Sequence, residues 1–367
     1  MNTAKKIFFL ITGLLLLNSC DKADDDTSQY TIPSTYNFDN VDYSGQEQRI
    51  AMLSELKSYM ASANTANTVL DADRLQAMFT NNASTAGWQG TYEDSKQIKS
   101  KTFEQEQVNF ENMLNDLATA SQSTTAGQSG QAGVVTSSNG AKNYLLNENG
   151  LELGQVIEKG LMGALLYYQA TAVYMESGKI DSDNETVEDG RGTEMEHSWD
   201  EAFGYFGVPK TFPSDTEPLY FWGDYCNDRD ELTGTNQAVM NAFLKGRAAI
   251  SNKDLTTRDE AIDEARAAWE SVIVGTALHY INGSIEDFDD MALRAHQLSE
   301  AVGFVYSLQF SPGKQITNND VNELITLLVG TTDFSTMNVY TAELSDLESA
   351  RDQLAEHFGY TEIKSQF

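Results

Sequence analysis

The sequence of residues 151–176 is LELGQVIEKGLMGALLYYQATAVYME, and this stretch decides the fold class. From Gly160 to Met175 it contains no charged residue, and a helix that is apolar all round is a buried helix. Gly160, Gly163 and Ala164 would let a neighbouring backbone approach closely. The uncharged run is too short to cross a membrane. We therefore predict a central core helix around which other elements pack.

Apolar residues at helical spacing recur along the rest of the chain, whereas the period-two alternation of a strand is nowhere sustained. The predicted helices are 46–62, 70–79, 93–120, 151–176, 193–207, 236–251, 256–282, 288–310, 317–329 and 341–358. Thr317 precedes Asn318, Asn319 and Asp320, a sequence typical of a helix N-cap. The predicted fold class is all-α, either one large helical bundle or two packed bundles.

Residues 122–140 are rich in Ser, Thr, Gly and Gln and have no periodic apolar pattern. This composition predicts a loop. Because so long a connection is either functional or mobile, the loop is also the predicted sub-domain boundary within one all-helical domain, residues 45–367.

Composition limits the functional classes. With 367 residues and 40% hydrophobic residues, the chain can bury a substantial core. Its net charge of −31 disfavours nucleic acid, whose phosphates it would repel. The charge is compatible with cations and equally with a role in keeping the protein soluble. There are two cysteines; we expect Cys226 to be a small buried apolar side chain.

The N-terminus predicts export. Lys5 and Lys6 precede an apolar run, residues 7–17, and the run ends in the sequence Leu17-Asn18-Ser19-Cys20. A basic and then apolar segment of this length is a signal peptide, here residues 1–19. Its end resembles a bacterial lipobox, which implies cleavage before Cys20 and a lipid on its sulfur. Each buried methylene of such a lipid contributes about 0.8 kcal/mol to membrane attachment.

Residues 20–44 form the predicted lipidated tether. Residues 21–26, DKADDD, resemble the acidic export signal of bacterial surface lipoproteins. The predicted location is the outer membrane, with the protein lipid-anchored and facing either the cell surface or the periplasm. Residues 27–44 contain aromatic residues and Pro33, so they are either part of the tether or a segment lying across the body.

Histidine, carboxylates and aromatic residues are concentrated in residues 193–207, TEMEHSWDEAFGYFG. On a helix, His197 and Glu201 share a face at i and i+4, with Glu194 one turn earlier and Asp200 beside them. Imidazole and carboxylate groups from a helical bundle are typical metal ligands. We predict these four residues as ligands of a metal ion.

A second group has the same spacing. His296 and Glu300 repeat the i, i+4 pairing. If helices 256–282 and 288–310 form a hairpin, His279 lies roughly 7–8 Å from His296 along the axis, at a rise of about 1.5 Å per residue. His279, His296 and Glu300 are therefore additional candidate ligands. The alternative is that such histidines only satisfy backbone carbonyls.

Aromatic residues offer a different function. Trp199 and Trp222 are the candidates for stacking a sugar or a peptide, and burial in the core is the alternative interpretation. Catalysis has less support, because the sequence lacks the G-x-S-x-G motif and the H-E-x-x-H motif of zinc proteases. A hydrolase of unknown substrate remains a third hypothesis, and the sequence favours a non-enzymatic role.

Several phrases together resemble a bacterial lipoprotein family from Bacteroidota, a domain of unknown function of the DUF4856 type. The phrases are GLELGQ (150–155), KGLMGA (159–164), HSWDEAFGYFG (197–207), ALHYIN (277–282) and HQLSEA (296–301), followed by Gly303 and Phe304. That family is similar in architecture to imelysin-like, iron-regulated proteins, which have two helical bundles and a G-x-H-x-x-E motif.

The resemblance implies a role for particular positions. His197 would stand at the motif histidine, Met195 at the glycine and Asp200 at the carboxylate, with Glu201 next. It implies binding of iron, another metal or haem in an uptake system. The alternative is capture of a glycan or peptide for an outer-membrane transporter, a partner that either function would share.

Overall fold

The predicted core segment forms the central helix in the computed structural model, which describes residues 30–367. It begins as an α-helix, Leu153–Leu161, and continues through two π-helical segments, Met162–Tyr167 and Gln169–Tyr174. Nearly all of its side chains are buried. The predicted signal peptide and Cys20 lie outside the described residues.

The fold is all-α, as predicted. The described residues contain 13 α-helices and one two-stranded sheet. The helices are α1 (Ser44–Ala61), α2 (Ala72–Thr80), α3 (Ala83–Ala86), α4 (Gln107–Ala120), α5 (Leu153–Leu161), α6 (Ser177–Ile180), α7 (Glu194–Gly204), α8 (Trp222–Thr233), α9 (Thr235–Ser251), α10 (Leu255–Glu286), α11 (Met291–Ser307), α12 (Asn318–Val329) and α13 (Leu344–His357). The strands are β1 (Gly133–Thr136) and β2 (Asn143–Leu146).

The π-helical segments hold the neighbouring elements through backbone carbonyls. A π-helix pairs residues five apart instead of four, and such segments are often found at functional sites. Here the carbonyl of Met162 accepts a hydrogen bond from Trp222 of α8 (2.9 Å). The carbonyl of Thr171 accepts one from Arg266 of α10 (2.6 Å). These bonds fix α8 and α10 against the central helix.

Helices α10 and α11 form the predicted antiparallel hairpin, but the turn differs in position. Helix α10 continues through Gly283 to Glu286, four residues beyond the predicted end. Gly283 lies inside α10 rather than at a turn, and the end of the Gln297 side chain of α11 packs directly against it. At the next helix, Thr317 and Asp320 form a capping box, which confirms the predicted N-cap of α12.

Residues 93–106 do not form the predicted first half of a long helix. The side chain of Asn81 donates to the carbonyls of Glu93 (2.9 Å) and Lys96 (2.7 Å), and Phe103 N–H donates to the carbonyl of Ala164 (2.8 Å). These tertiary bonds use groups that a helix would pair within itself. Two short 3₁₀ turns, Lys99–Lys101 and Glu104–Glu106, precede α4 instead.

The predicted loop 122–140 contains strand β1, which pairs antiparallel with β2 in the register Val134 to Leu145. Each strand has four residues, and neither GVVT nor NYLL alternates between apolar and polar residues. Residues 32–367 form one compact unit that includes this hairpin. Within the described part of the chain, every helix is too short or too polar to cross a bilayer.

Residues 27–44 are predicted to be either part of the tether or a segment lying across the body. In the structure, residues 32–43 lie across the body. Tyr36 is fully buried, and its ring stacks on Phe203 of α7 with centroids 3.8 Å apart. Its backbone N–H donates to the carbonyl of Lys210 (2.7 Å). The body therefore begins well before α1.

Close packing of α7 on α9 gives a stability prediction. A Cβ on Gly246 of α9 would overlap the indole of the buried Trp199, reaching its Cε2 at 2.8 Å. We expect Gly246→Ala to lower the free energy of unfolding by about 1–3 kcal/mol, the usual cost of overpacking. Urea denaturation followed by circular dichroism measures it.

The matched control is Gly178→Ala, because Gly178 is exposed and a Cβ there meets no atom within 4 Å. This change should leave stability unchanged or raise it slightly, since alanine is the better helix former. Equal stability of the two variants would contradict the described α7–α9 contact.

Candidate functional site

Helix α7 carries the first group of predicted ligands, and its own sequence fixes where it begins. Thr193 Oγ1 accepts from Glu196 N–H (3.1 Å), and the Glu196 carboxylate accepts from Thr193 N–H (3.0 Å). This reciprocal capping box satisfies two backbone donors that a helix start leaves unpaired. Helix α7 therefore runs from Glu194 to Gly204 with a fixed rotation about its axis.

His197 is the predicted ligand with an unpartnered nitrogen. Its Nε2 lies 3.7 Å from Glu201 Oε2, as the i, i+4 spacing predicts, and its side chain is 11% exposed. Its buried Nδ1 has no hydrogen-bond partner among the described residues. Burial lowers the pKa of His197 more than the Glu201 carboxylate raises it. At neutral pH the ring is therefore neutral, the form that binds metals.

Glu201 is held by one carboxylate oxygen and leaves the other towards His197. Its Oε1 accepts from Gln46 Nε2 of α1 (2.8 Å) and from the hydroxyl of Tyr174 at the end of the central helix (3.1 Å). Its Oε2 is the oxygen that faces the imidazole. Two elements distant in sequence thus orient the carboxylate.

Asp42 adds a second acidic group near His197. Burial opposes ionisation of Asp42, but hydrogen bonds from Ser44 and the nearby His197 ring lower its pKa overall. The Ser44 N–H donates to Asp42 Oδ1 (3.0 Å). Asp42 is not among the predicted ligands, since it lies in the segment before α1.

Asp200 belongs to a different cluster, on the buried side of α7. It is fully buried, and its Oδ1 accepts from Arg247 Nε (2.9 Å) and from the Tyr36 hydroxyl (2.7 Å). Arg247 also pairs with Glu196 (2.6 Å). Burial raises the pKa of Asp200 to about 7, although the Arg247 charge opposes this. The guanidinium thus lies where the prediction of Asp200 as a ligand places a metal ion.

Glu194 also stands apart from the His197–Glu201 pair. Its side chain is 47% exposed and pairs with Arg191 at 2.6 Å. An exposed pair of this kind contributes little to stability. Of the four predicted ligands on α7, the structure therefore brings together only His197 and Glu201.

The second predicted group forms a hydrogen-bonded pair with a residue that sequence reasoning missed. His296 Nδ1 donates to Glu152 Oε2 (2.6 Å), and its Nε2 lies 3.8 Å from Glu300 Oε2. The imidazole stacks on Tyr144 of β2, with ring centroids 4.2 Å apart. Burial lowers the pKa of His296, but the Glu152 carboxylate raises it by a larger amount, so the net shift of the pKa is upward.

Lys159 provides the cation of this second cluster. Its side chain is 2% exposed, and its Nζ lies 2.7 Å from Glu158 and 3.3 Å from Glu300. The rings of Tyr225 and Phe304 are 5.2 and 5.9 Å from the ammonium. Burial lowers the pKa of Lys159, but the two carboxylates outweigh burial and raise it. The ammonium is therefore permanently charged and pairs α5 with α11.

The remaining histidines do not join either group. His279 of α10 has its pKa lowered by burial and by Arg229, and its backbone partner is Phe367. The exposed His357 contacts the carbonyl of Gln315 (3.1 Å). His197, His279 and His296 thus have different partners. Within residues 30–367, no three His, Cys, Asp or Glu side chains are placed to hold a metal ion together.

The predicted ligand-stacking residues are core residues, so this prediction is wrong. Trp199 and Trp222 are completely buried. Their indole N–H groups donate to the carbonyls of Phe243 and Met162, each at 2.9 Å. The alternative interpretation, burial in the core, is confirmed. Cys226 is also buried, as expected.

Comparison with known proteins identifies the family. The chain matches a domain of unknown function (DUF4856) over residues 33–361. It belongs to the DUF4856 family. The matched range includes all helices of the described DUF4856 fold, from α1 to α13. No curated protein and no solved structure matches the chain.

The His296 cluster generates a pH-dependent prediction. Because its pKa is raised above 6.5 in the folded protein, the stabilisation by His296 is present below that value and is lost as pH rises through the folded-state pKa. Replacing His296 by Gln removes this pH-dependent contribution to the free energy of unfolding. We expect the stability difference between wild type and His296→Gln to shrink between about pH 6 and about pH 9, measured by urea denaturation.

His357→Gln is the control, since His357 is exposed and its Nε2 contacts a backbone carbonyl rather than a carboxylate. Its stability difference from wild type should not vary over this range. If the stability difference between wild type and His296→Gln grows with pH, the form of His296 that pairs with Glu152 is not the protonated one.

Proposed function

We propose that this DUF4856 protein is a lipid-anchored, non-enzymatic protein of the cell envelope that binds iron or another divalent metal, or haem, through His197 and Glu201. The observation that carries the proposal is the mostly buried imidazole of His197, whose Nε2 lies 3.7 Å from Glu201 Oε2, the carboxylate oxygen that Gln46 and Tyr174 do not bind. Its role is in metal uptake at the outer membrane, together with a transporter.

Chemical fit supports these two ligands. Ligand atoms each about 2 Å from a metal can span the 3.7 Å between His197 Nε2 and Glu201 Oε2. Imidazole and carboxylate suit iron and zinc. Asp42 supplies further negative charge near His197. The net charge of −31 favours the approach of any cation.

The small number of protein ligands favours a metal that arrives with ligands of its own. Asp200 is already paired with Arg247, and His296 with Glu152, so each belongs to a different cluster from His197 and Glu201. Haem or a chelated iron needs only one or two ligands from the protein. The imelysin-like resemblance of the sequence HSWDE, residues 197–201, agrees with this choice.

Metal titration tests the proposal. Purified protein is titrated with Fe(II), Mn(II), Zn(II) and haemin, with calorimetry for the ions and absorbance for haemin. We expect at least one of them to bind, and His197→Ala to weaken its binding about tenfold or more, because one of two protein ligands is lost. Glu201→Gln should weaken it too.

The matched control is His357→Ala, which removes an exposed histidine distant from α7. It should bind as wild type does. If none of the four probes binds, or if His197→Ala and His357→Ala behave alike, the metal proposal is wrong.

The anchor is tested separately. We expect Cys20→Ser to abolish incorporation of labelled fatty acid and to release the protein from the membrane fraction, because the thioether bond needs the sulfur. Cys226→Ala is the control: Cys226 is buried, and burial raises the pKa of its thiol to about 12, so it does not react. A Cys20→Ser protein that stays labelled and membrane-bound would contradict a lipid anchor.

A further inference from the structure

A cleft separates α1 from the segment that follows α7, and its walls contain neither His197 nor Glu201. Its volume is about 630 Å³, within the range of small-molecule sites. One wall is the α1 face that includes Glu47, Ile50 and Glu55. The other is formed by backbone and side chains of residues 204–220.

The lining combines aromatic rings with acidic groups. Tyr43, Tyr92 and Tyr220 line the cleft, together with the carboxylates of Glu47 and Glu55. Lys, Arg and His are absent from the described lining. The faces of aromatic rings carry negative charge and attract cations. The chemistry of the cleft therefore disfavours an anion.

Protein contacts hold the Tyr92 and Glu55 side chains in place. Glu55 accepts from the Tyr92 hydroxyl (2.7 Å) and from the backbone N–H groups of Gln89 (2.7 Å) and Gly90 (2.8 Å). These bonds outweigh burial and lower the pKa of Glu55, so the carboxylate is ionised. An ionised and immobile acceptor next to a fixed ring needs little reorganisation on binding.

The other two tyrosines are also held by close packing. A Cβ on Gly204 would reach Tyr43 Cβ at 2.6 Å, so the Tyr43 side chain lies directly on α7. Gly207 has a φ of +82°, which favours glycine, and its carbonyl accepts from Tyr220 N–H (2.9 Å). Tyr220 nevertheless remains 44% exposed. Tyrosine is enriched at binding surfaces, because its ring has an apolar body and a polar end.

An ammonium group of the protein itself already lies at one end of this arrangement. Lys210 Nζ is 5.6 Å from the centre of the Tyr43 ring. Lys210 also attracts the Glu47 carboxylate, although burial raises the pKa of Glu47 overall. Tyr43 and Glu47 thus act together on a primary ammonium that is not part of the lining.

We propose that the cleft binds an organic cation, an amine or quaternary ammonium compound. Its charged head lies between the Tyr43 ring and Glu47, where it competes with Lys210, and its carbon skeleton packs on Tyr92 and Tyr220. The cleft volume favours a ligand larger than a bare ammonium head group. This function is independent of metal binding at His197.

Isothermal titration tests the class of ligand with benzyltrimethylammonium, choline and 3,3-dimethyl-1-butanol, the uncharged isostere of choline. We expect both cations to bind, and the isostere to bind about tenfold more weakly than choline, since it lacks the cation–π and carboxylate attraction. Maltohexaose is included as a representative uncharged sugar.

Two variants have opposite expected effects on benzyltrimethylammonium binding. Glu47→Gln removes one attracting charge and should weaken binding several-fold. Lys210→Met removes the competing ammonium and should strengthen it several-fold. Glu264→Gln, which changes an acidic residue that pairs with Lys245 outside the cleft, is the control and should bind as wild type does.

Several outcomes would overturn the proposal. These are absence of binding by both cations, equal affinity for choline and its isostere, binding of maltohexaose alone, or weaker binding by Lys210→Met. Circular dichroism melting of each variant shows whether a loss reflects unfolding. His197→Ala, tested in parallel, should retain the cation affinity, which separates this cleft from the metal proposal.

Discussion

Burial of the uncharged central helix is the constraint on which the rest of the structure depends. Backbone carbonyls in such a helix must find hydrogen-bond partners away from water. The π-helical segments direct two of them to Trp222 and Arg266, which fixes α8 and α10. The same helix ends at Tyr174, whose hydroxyl donates to Glu201 on α7. The site is therefore positioned by the helix that forms the core.

Buried charge is the second organising factor. Burying a carboxylate is costly unless a cation is paired with it. The chain supplies such cations in two places, Arg247 for Asp200 and Lys159 for Glu300. These residues lie on the buried sides of their helices. A cluster that already contains a cation does not require a metal ion to neutralise its carboxylates. Asp200 and Glu300 belong to such clusters, whereas His197 and Glu201 do not.

Helix positions were predictable wherever an apolar run or apolar residues at helical spacing continue over a long stretch, as in the central helix and the α10–α11 hairpin. Residues 93–106 were not, because hydrogen bonds from Asn81 and to Ala164 replace helical ones there, and no local pattern encodes such partners. The i, i+4 pairing of His197 with Glu201 follows from one helix. The role of Asp200 does not, since its partners Tyr36 and Arg247 lie 164 and 47 residues away.

The contact between α1 and α7 differs from the Asp200–Arg247 and Glu300–Lys159 clusters, because its carboxylates are not neutralised by a paired lysine or arginine in the part of the chain that the structure describes. Two consecutive residues of α1 contribute to the two proposed sites. Gln46 donates to Glu201, and Glu47 lines the cleft between α1 and the segment that follows α7. Neither Glu201 nor Glu55 has an ion pair with Lys or Arg among the described residues, although Lys210 lies near Glu47. In a chain with a net charge of −31, carboxylates without a paired cation are where an external cation gains most. Both proposals therefore rest on the same electrostatic imbalance along this contact.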